Sequence, residues 1–368
     1  MVTSANPNLA AVLRNPHRIR PRVFAFKGVG TPVEVPVTAC VVTKDAGAYP
    51  RTKAAITVAD LEYAPTTLDA LLLPWNTQIQ VEAEVTDGQT TITIPVAHLW
   101  LDEVTINRPD SNFVLSAPDF SQRIADHWLE KAYTPTKGTR VQDAIKALIR
   151  RSSQSHADRM VITAGVPTLP YGDGGALTGN PWAAIEKLAD MIGCECFLRY
   201  DDVVILRPVP LLAATGLFNL DAGTGGILTN SSTTVARAYN RVVEHFGNQK
   251  DANGKALADR YGVWESTTSP TNPSSGYGYV TLVENQTGTA TQGQADTAAL
   301  NAARRVQGLV RTSRLTTPTL PQLEPGDTVN IRFATGLAER AIMQSHVIDL
   351  TPSGSSVIGT RSTTWLAT

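Results

Sequence analysis

Alternation sets the texture of the first third of the chain. VEVPVTACVV places Val33, Val35, Val37, Ala39 and Val41 on one face, the two-residue period of a strand. QIQVEAEV (78–85) sets Ile79, Val81, Ala83 and Val85 against Gln80, Glu82 and Glu84. TTITIPV (90–96) follows, and Asp87-Gly88 between the two is a strong hairpin signal, since the tight turns that join such strands need positive φ. One apolar and one wet face per strand predict an antiparallel sandwich or barrel over residues 23–117.

The period changes near Pro118. DFSQRIADHWLEKAY (119–133) reads as a helix capped by Asp119, with Ile124, Trp128 and Leu129 on one face. Thr139 then caps RVQDAIKALIRR, whose stripe is Val141, Ile145, Leu148 and Ile149. NPWAAIEKLADMIG is specified almost residue by residue. Asn180 is an N-cap and Pro181 the favoured first helical residue. Trp182, Ile185, Leu188, Ala189 and Ile192 form the buried face, and Gly193 is the left-handed stop. CECFLRY and VVILRPV pair around Asp201-Asp202, which predicts a compact α+β domain over 118–210.

Strands return after AGTGGILTNSSTT, with ARAYNRVVEHFG as a candidate strand and 248–278 as a polar loop excursion. ADTAALNAARRVQGLVR (295–311) predicts an amphipathic helix on Leu300, Ala303, Val306, Gln307 and Val310. LPQLEPGDTVNIRF turns at Pro325-Gly326-Asp327 into a strand bearing Val329 and Ile331, and IMQSHVIDLTP with SSVIGTRSTTW forms a closing hairpin. The expected organisation is a terminal arm (1–22), a first β domain (23–117), an α+β domain (118–210) and a second β domain with one helix (211–368).

Hydrophobic residues make up 42% and charged residues 18%, which excludes a mostly disordered chain. With 32 bases against 33 acids there is no global field to draw nucleic acid or membrane, so any such contact needs a local patch. Arg14, His17, Arg18, Arg20 and Arg22 cluster without an acid, either as a solvated terminus or as an arm for an acidic neighbour. No apolar run has the length of a signal peptide's core or of a membrane span. Cys194 and Cys196 share one face of a strand, where a mutual bridge is poorly placed, so with Cys40 they read as buried thiols of a reducing cytoplasm.

The search for chemistry yields no catalytic, cofactor-binding or metal-ligating residue. The six histidines (17, 98, 127, 156, 245, 346) stand singly, and no HExxH, GxSxG or GxxxxGK[ST] occurs. Gly28-Val29-Gly30 runs into Thr-Pro rather than a helix, and Asp251–Gly254 lacks the glutamate of a calcium loop. His127 with Glu130 reads as structural. His245 and Glu244 point to opposite faces of a strand, as do Asp102 and Glu103. These observations favour a non-enzyme.

The stretch 180–208 resembles the tail hub proteins of tailed bacteriophages. The residues that carry the resemblance are Trp182, Ala184, Ile185, Lys187, Leu188, Ala189, Ile192, Gly193, Asp201, Asp202, Arg207 and Pro208. KDAGAYPRTKAAITVAD (44–60), GTRVQDAIKALIRR (138–151) and LEPGDTVNI (323–331, with Gly326 and Asp327) are similar to the same family, especially its long-tailed actinobacteriophage members. The resemblance implies mixed β and α+β architecture, two tube-like β-barrel or sandwich domains flanking an α+β domain. It implies a homotrimer that closes the distal tail tube and matches threefold to sixfold symmetry. Implied partners are the distal tail protein, the tail tube, the tape-measure protein and spike or fibre proteins, with DNA only as transiting cargo and no stable membrane insertion. The implied place is the virion tail tip, after assembly in the host cytoplasm, with no cofactor. Glu82, Glu84 and Asp87 are candidate channel lining under this reading, although an outward solvated face explains the same charges. The alternatives are a hexameric distal tail protein and a carbohydrate-binding tail-tip adhesin. The adhesin would need an exposed aromatic platform, and of Trp75, Trp100, Trp264 and Trp365 only Trp264, near Tyr261, lies in an evident loop.

Overall fold

A computed structural model describes residues 12, 17–74, 76–107, 112–171, 176–213, 215–223, 227–235, 238–247, 255–267, 271–286, 290–306 and 311–362. The first β unit comprises β1 (Arg18–Lys27), β2 (Val33–Val35), β3 (Val37–Asp45), β4 (Thr52–Val58), β5 (Thr77–Thr86), β6 (Thr91–Trp100), β7 (Glu103–Asn107) and β8 (Asn112–Pro118). β2-β1-β5-β6 form one sheet, and β3, β4, β8 and β7 belong to a second, larger one. The β5–β6 hairpin turns where expected: Gly88 has φ +90°, and the Asp87 carboxylate accepts from the amides of Gln89 (3.0 Å) and Thr90 (2.7 Å).

Two expectations for this region change. Pro36, which has no N–H to donate, separates β2 from β3, and β3 carries an irregularity between Val37 and Ala39. The alternation therefore changes face, so Cys40 and Val42 point into the core and Ala39 and Val41 do not. The expected arm also ends early, because Arg18, Arg20 and Arg22 lie on β1.

The α+β unit holds α1 (Ser121–Asp126), β9 (Leu129–Tyr133), α2 (Val141–Ser152), α3 (Gln154–Arg159), β10 (Val161–Ile162), β11 (Leu177–Gly179), α4 (Pro181–Met191), β12 (Cys194–Leu198) and β13 (Val204–Pro208). The helix predicted over 119–133 stops at Asp126, because Leu129–Tyr133 pairs with β11 instead and leaves Trp128 63% exposed. Asp119 does not cap it from the N-cap position; its carboxylate accepts from the amides of Thr52 and Ser121. Thr139 is likewise not the cap of α2, whose first amide, Val141 N–H, donates to the carbonyl of Leu169. α4 is as predicted: the Asn180 side chain accepts from Trp182 and Ala183 amides, and Gly193 has φ +72°.

The remainder supplies β14 (Phe218–Asp221), β15 (Asn230–Val235), β16 (Arg241–Phe246), β17 (Arg260–Glu265), β18 (Thr281–Gln286), α5 (Gln292–Val306), β19 (Arg311–Pro318), β20 (Thr328–Arg332), β21 (Ala338–Asp349) and β22 (Ser355–Ser362). β17 lies inside the expected loop excursion, where it pairs with β16. Of the predicted stripe, Ala303 is buried and Val306 packs against it, but Leu300 is exposed and Ala295, Ala298, Ala299 and Ala302 complete the buried face. Gln307 and Val310 lie outside the described residues. The alanine face follows from how near the helix sits: a Cβ at Gly262 on β17 would lie 1.8 Å from the Ala295 carbonyl oxygen.

The two β units join edge to edge. β21 pairs with β3, Val347 opposite Thr43, so one sheet runs β15-β19-β22-β21-β3-β4-β8-β7, with β20 and β14 attached beside β21. A single apolar core lies between this sheet and the four-stranded one and includes Val42, Ile56, Val81, Leu115, Val329, Met343 and Ile358. The sheets are sandwiched, and none closes on itself among the described residues. Likewise no described helix is long and apolar enough to cross a membrane.

Gly262→Ala sets a side chain against helix backbone that no rotamer change relieves. Urea unfolding of this variant is expected to show a loss of about 3 kcal/mol or more.

Candidate functional site

Three of the motifs carrying the tail-protein resemblance meet at one turn, Leu323–Asp327. Its residues are nearly all occupied by contacts from other parts of the chain. The Leu323 carbonyl accepts from Nδ1 of His346 (3.3 Å), and the Glu324 carboxylate pairs with the buried Lys44 ammonium. The Pro325 carbonyl accepts from both Arg51 (2.9 Å) and Arg207 (3.0 Å). Gly326 N–H donates to Met343 O, Met343 N–H donates to Asp327 O, and the Asp327 carboxylate accepts from Glu324 N–H. Gly326 has φ +98°, and a Cβ there would meet Nη2 of Arg207 at 2.3 Å, so glycine is needed for the turn and for the guanidinium beside it.

Glu195 on β12 completes the clamp from the α+β side. Its Oε1 lies 2.6 Å from Arg207 Nε and 3.5 Å from an Arg51 nitrogen, and both guanidiniums stack on Phe197, at 4.6 Å and 3.9 Å. Burial alone would push the Glu195 carboxyl up, but the two arginines outweigh it and hold it below the ordinary carboxylate value. Around the clamp lies a cavity of about 350 Å³, lined by Tyr49, Arg51, Trp182, Glu195, Met343 and Arg361 among others. Cys194 and Cys196 also face it; both are free, and burial pushes the Cys194 thiol up to about 12, which leaves no thiolate for chemistry.

At the seam, His346 faces Lys44 across β21 and β3. Nδ1 donates to the Leu323 carbonyl, so Nε2 accepts from the Ser356 hydroxyl at 2.9 Å. Burial first, and the Lys44 charge second, lower its pKa to about 3.

Asp201 and Asp202 have separate roles. Asp201 pairs with Arg199 at the surface of the turn, whereas Asp202, at φ +60°, is buried and receives Nε2 of His156 at 2.7 Å. Nδ1 of His156 meets Ser153 Oγ at 2.7 Å, and the ring stacks on Phe120 at 3.8 Å. The trio has the residue types of a hydrolase triad, but Ser153 is the N-cap of α3 and accepts from the His156 amide of that helix. The network holds the β12–β13 turn against α3 and the end of the first β unit. Sequence reading missed it, because His156 and Asp202 are 46 positions apart and no spacing rule links them.

The acidic residues proposed for a channel lie on the outer face of the four-stranded sheet. Glu84 pairs with Arg20 (3.3 Å), Glu82 approaches Arg22 (4.0 Å), and Arg22 is bonded to Glu34 (3.0 Å). The face is therefore a ladder of both signs rather than an acidic wall, and Asp87 is engaged in its own turn. Trp264 packs against α5 and Trp100 is buried, so neither offers an aromatic platform; Trp75 and Trp365 lie outside the described residues. No group of three or more metal-ligating side chains occurs among the described residues.

No protein-family model and no curated protein sequence matches this chain. Solved structures do. A tail protein from Neisseria meningitidis MC58 aligns over 94% of this chain and 96% of its own, at TM-score 0.61 and 12% identity. The 43 kDa tail protein of prophage MuSo2 from Shewanella oneidensis aligns over 92% and 98%, at 0.60 and 12%. Prophage tail protein gp18 from Listeria monocytogenes EGD-e aligns over 93% and 94%, at 0.55 and 10%. The fold is that of phage tail proteins.

Glu195→Gln removes the anion between two guanidiniums and is expected to cost about 3 kcal/mol in urea unfolding at pH 7. Acid tests the seam. His346 is neutral in the fold down to a pKa of about 3, while the unfolded chain takes its proton near pH ~6.5. Stability is therefore lost as pH falls from about 6.5 toward 3, with about one proton taken up on unfolding. His346→Gln is expected to flatten the pH dependence of stability by that one-proton slope.

Proposed function

We propose that the chain is a structural subunit of a bacteriophage tail tip, a trimeric hub that closes the distal tail tube. The observation that carries this reading is the eight-strand path β15-β19-β22-β21-β3-β4-β8-β7. Each β unit supplies four neighbouring strands, every pair along the path is antiparallel, and among the described residues neither end strand pairs further. Each edge carries an exposed apolar side chain, Ile106 (37% exposed) on β7 and Val235 (66%) on β15. An antiparallel joint between β7 of one copy and β15 of the next covers both. It also preserves the alternation and repeats the geometry of the internal β21–β3 seam. Three copies then form a ring with six quasi-equivalent joints, three inside chains and three between them, which is what a sixfold tube requires.

A closed wall of this kind has more room outside than inside. The four-stranded sheet, which adds bulk to one face, therefore lies outward and carries Glu82, Glu84 and Asp87 away from the channel. The lumen is lined by the opposite face, with Thr43, Lys53, Ser116, Arg314, Thr316 and Val347. By register Asp45, Glu103 and Asp349 share this face with Lys53 and Arg314, so its charges are of both signs and a passing polyanion meets no net positive wall. In this reading residues 23–117 and 211–368 supply the wall and 118–210 the periphery. The partners are the distal tail protein, the tail tube, the tape-measure protein and a spike or fibre, and catalysis has no part.

Light scattering with negative-stain imaging tests the reading. A pierced ring near three times 39.4 kDa, about 118 kDa, is expected. A hexameric ring would favour a distal tail protein instead. The Thr316 carbonyl points to β15 and the Ser313 carbonyl to β22, so by alternation Leu315 also turns away from β15, and Ser231 N–H opposite it points to the free edge. Ser231→Pro keeps the β19 ladder and is expected to leave only monomer; an unchanged ring would refute the edge joint.

A further inference from the structure

A second exposed surface lies beside that edge. β15 leads into a lobe in which β17-β16-β18 form a sheet with α5 on one face. Among the described residues the other face is exposed rather than covered. By register its middle row is Val263–Val243–Val283, flanked by Tyr261–His245–Asn285 and Glu265–Arg241–Thr281. Val263 is 42%, Val283 56%, Tyr261 50% and neighbouring Tyr279 59% exposed.

The charged groups of the flanking rows are already paired. Arg241 pairs with Glu265 at 3.2 Å and lies over the Tyr279 ring. His245 stacks on Tyr261 at 4.6 Å, donates through Nε2 to Asp259 (3.1 Å) and is hydrogen-bonded through Nδ1 to Asn285 (3.0 Å). A partner can therefore dry the valine row without stranding a charge, and tyrosine and arginine at the rim are residue types enriched in protein interfaces.

Area decides which partner. Three strands of six residues span roughly 300 Å², well below the ~800 Å² per side of a stable complex. This face cannot hold a free protein alone, but it fits one already tethered nearby. The tether is the adjacent edge, since β15 ends at Val235 and the lobe resumes at Ala238. We infer that the Tyr261/Val263/Val243/Val283 face is closed by the neighbouring copy of this chain, as a second contact of the β7–β15 joint. The inference rests on the ring reading and extends the subunit contact beyond the wall.

The test uses the full chain, with Val283→Asp and Ser231→Pro beside wild type, followed by light scattering over a concentration series. Circular dichroism of each variant checks that the fold is kept, and Val263→Asp is the second face variant if the first unfolds. The face variant is expected to raise the concentration for half-assembly at least tenfold, and Ser231→Pro to abolish assembly. If Val283→Asp and Val263→Asp assemble like wild type while Ser231→Pro does not, the ring stands and this contact is overturned. If Ser231→Pro also assembles like wild type, the edge joint itself fails. A wild-type chain that stays monomeric throughout overturns the contact too.

Discussion

The Pro325 carbonyl accepts hydrogen bonds from two guanidiniums, one from each of the other parts of the chain, and the relative placement of those parts depends on it. Arg51 belongs to the first β unit and Arg207 to the α+β unit, and Glu195 between them balances the charge. Two cations converge on one carbonyl only because a carboxylate and an aromatic face accompany them. Half-satisfied, the group would be a buried liability; satisfied, it specifies one arrangement of three units.

The same turn is tied to the seam where two sheets become one. Lys44 and His346 face each other there, one held by Glu324 and the other bonded to Leu323 and Ser356 and kept neutral by burial and the Lys44 charge. A buried cation beside a histidine is tolerated because the imidazole gives up its own charge. The sheet is thereby continuous across the chain.

Close approach of backbone is the second recurring device. Gly262 admits α5 against β17, and Gly326 admits Arg207 against the turn. In both places the missing side chain sets how near two elements lie, and the alanine face of α5 follows from that distance.

Much was legible in the sequence because the signals were local. The β5–β6 hairpin, the Asn180-Pro181 start of α4, its Gly193 stop and the β–α+β–β order all follow from spacing within a few residues. The local rules failed where tertiary partners intervened. Leu129–Tyr133 left its helix for β11, Val141 N–H donated to the Leu169 carbonyl instead of a Thr139 cap, and alanines took the place of Leu300 on the buried face of α5. The motifs at 44–60, 180–208 and 323–331 were visible singly, but their meeting was not, because pairs such as Lys44 and Glu324 are 280 positions apart. Periodicity reports which face of an element is buried; only the folded chain reports what it is buried against.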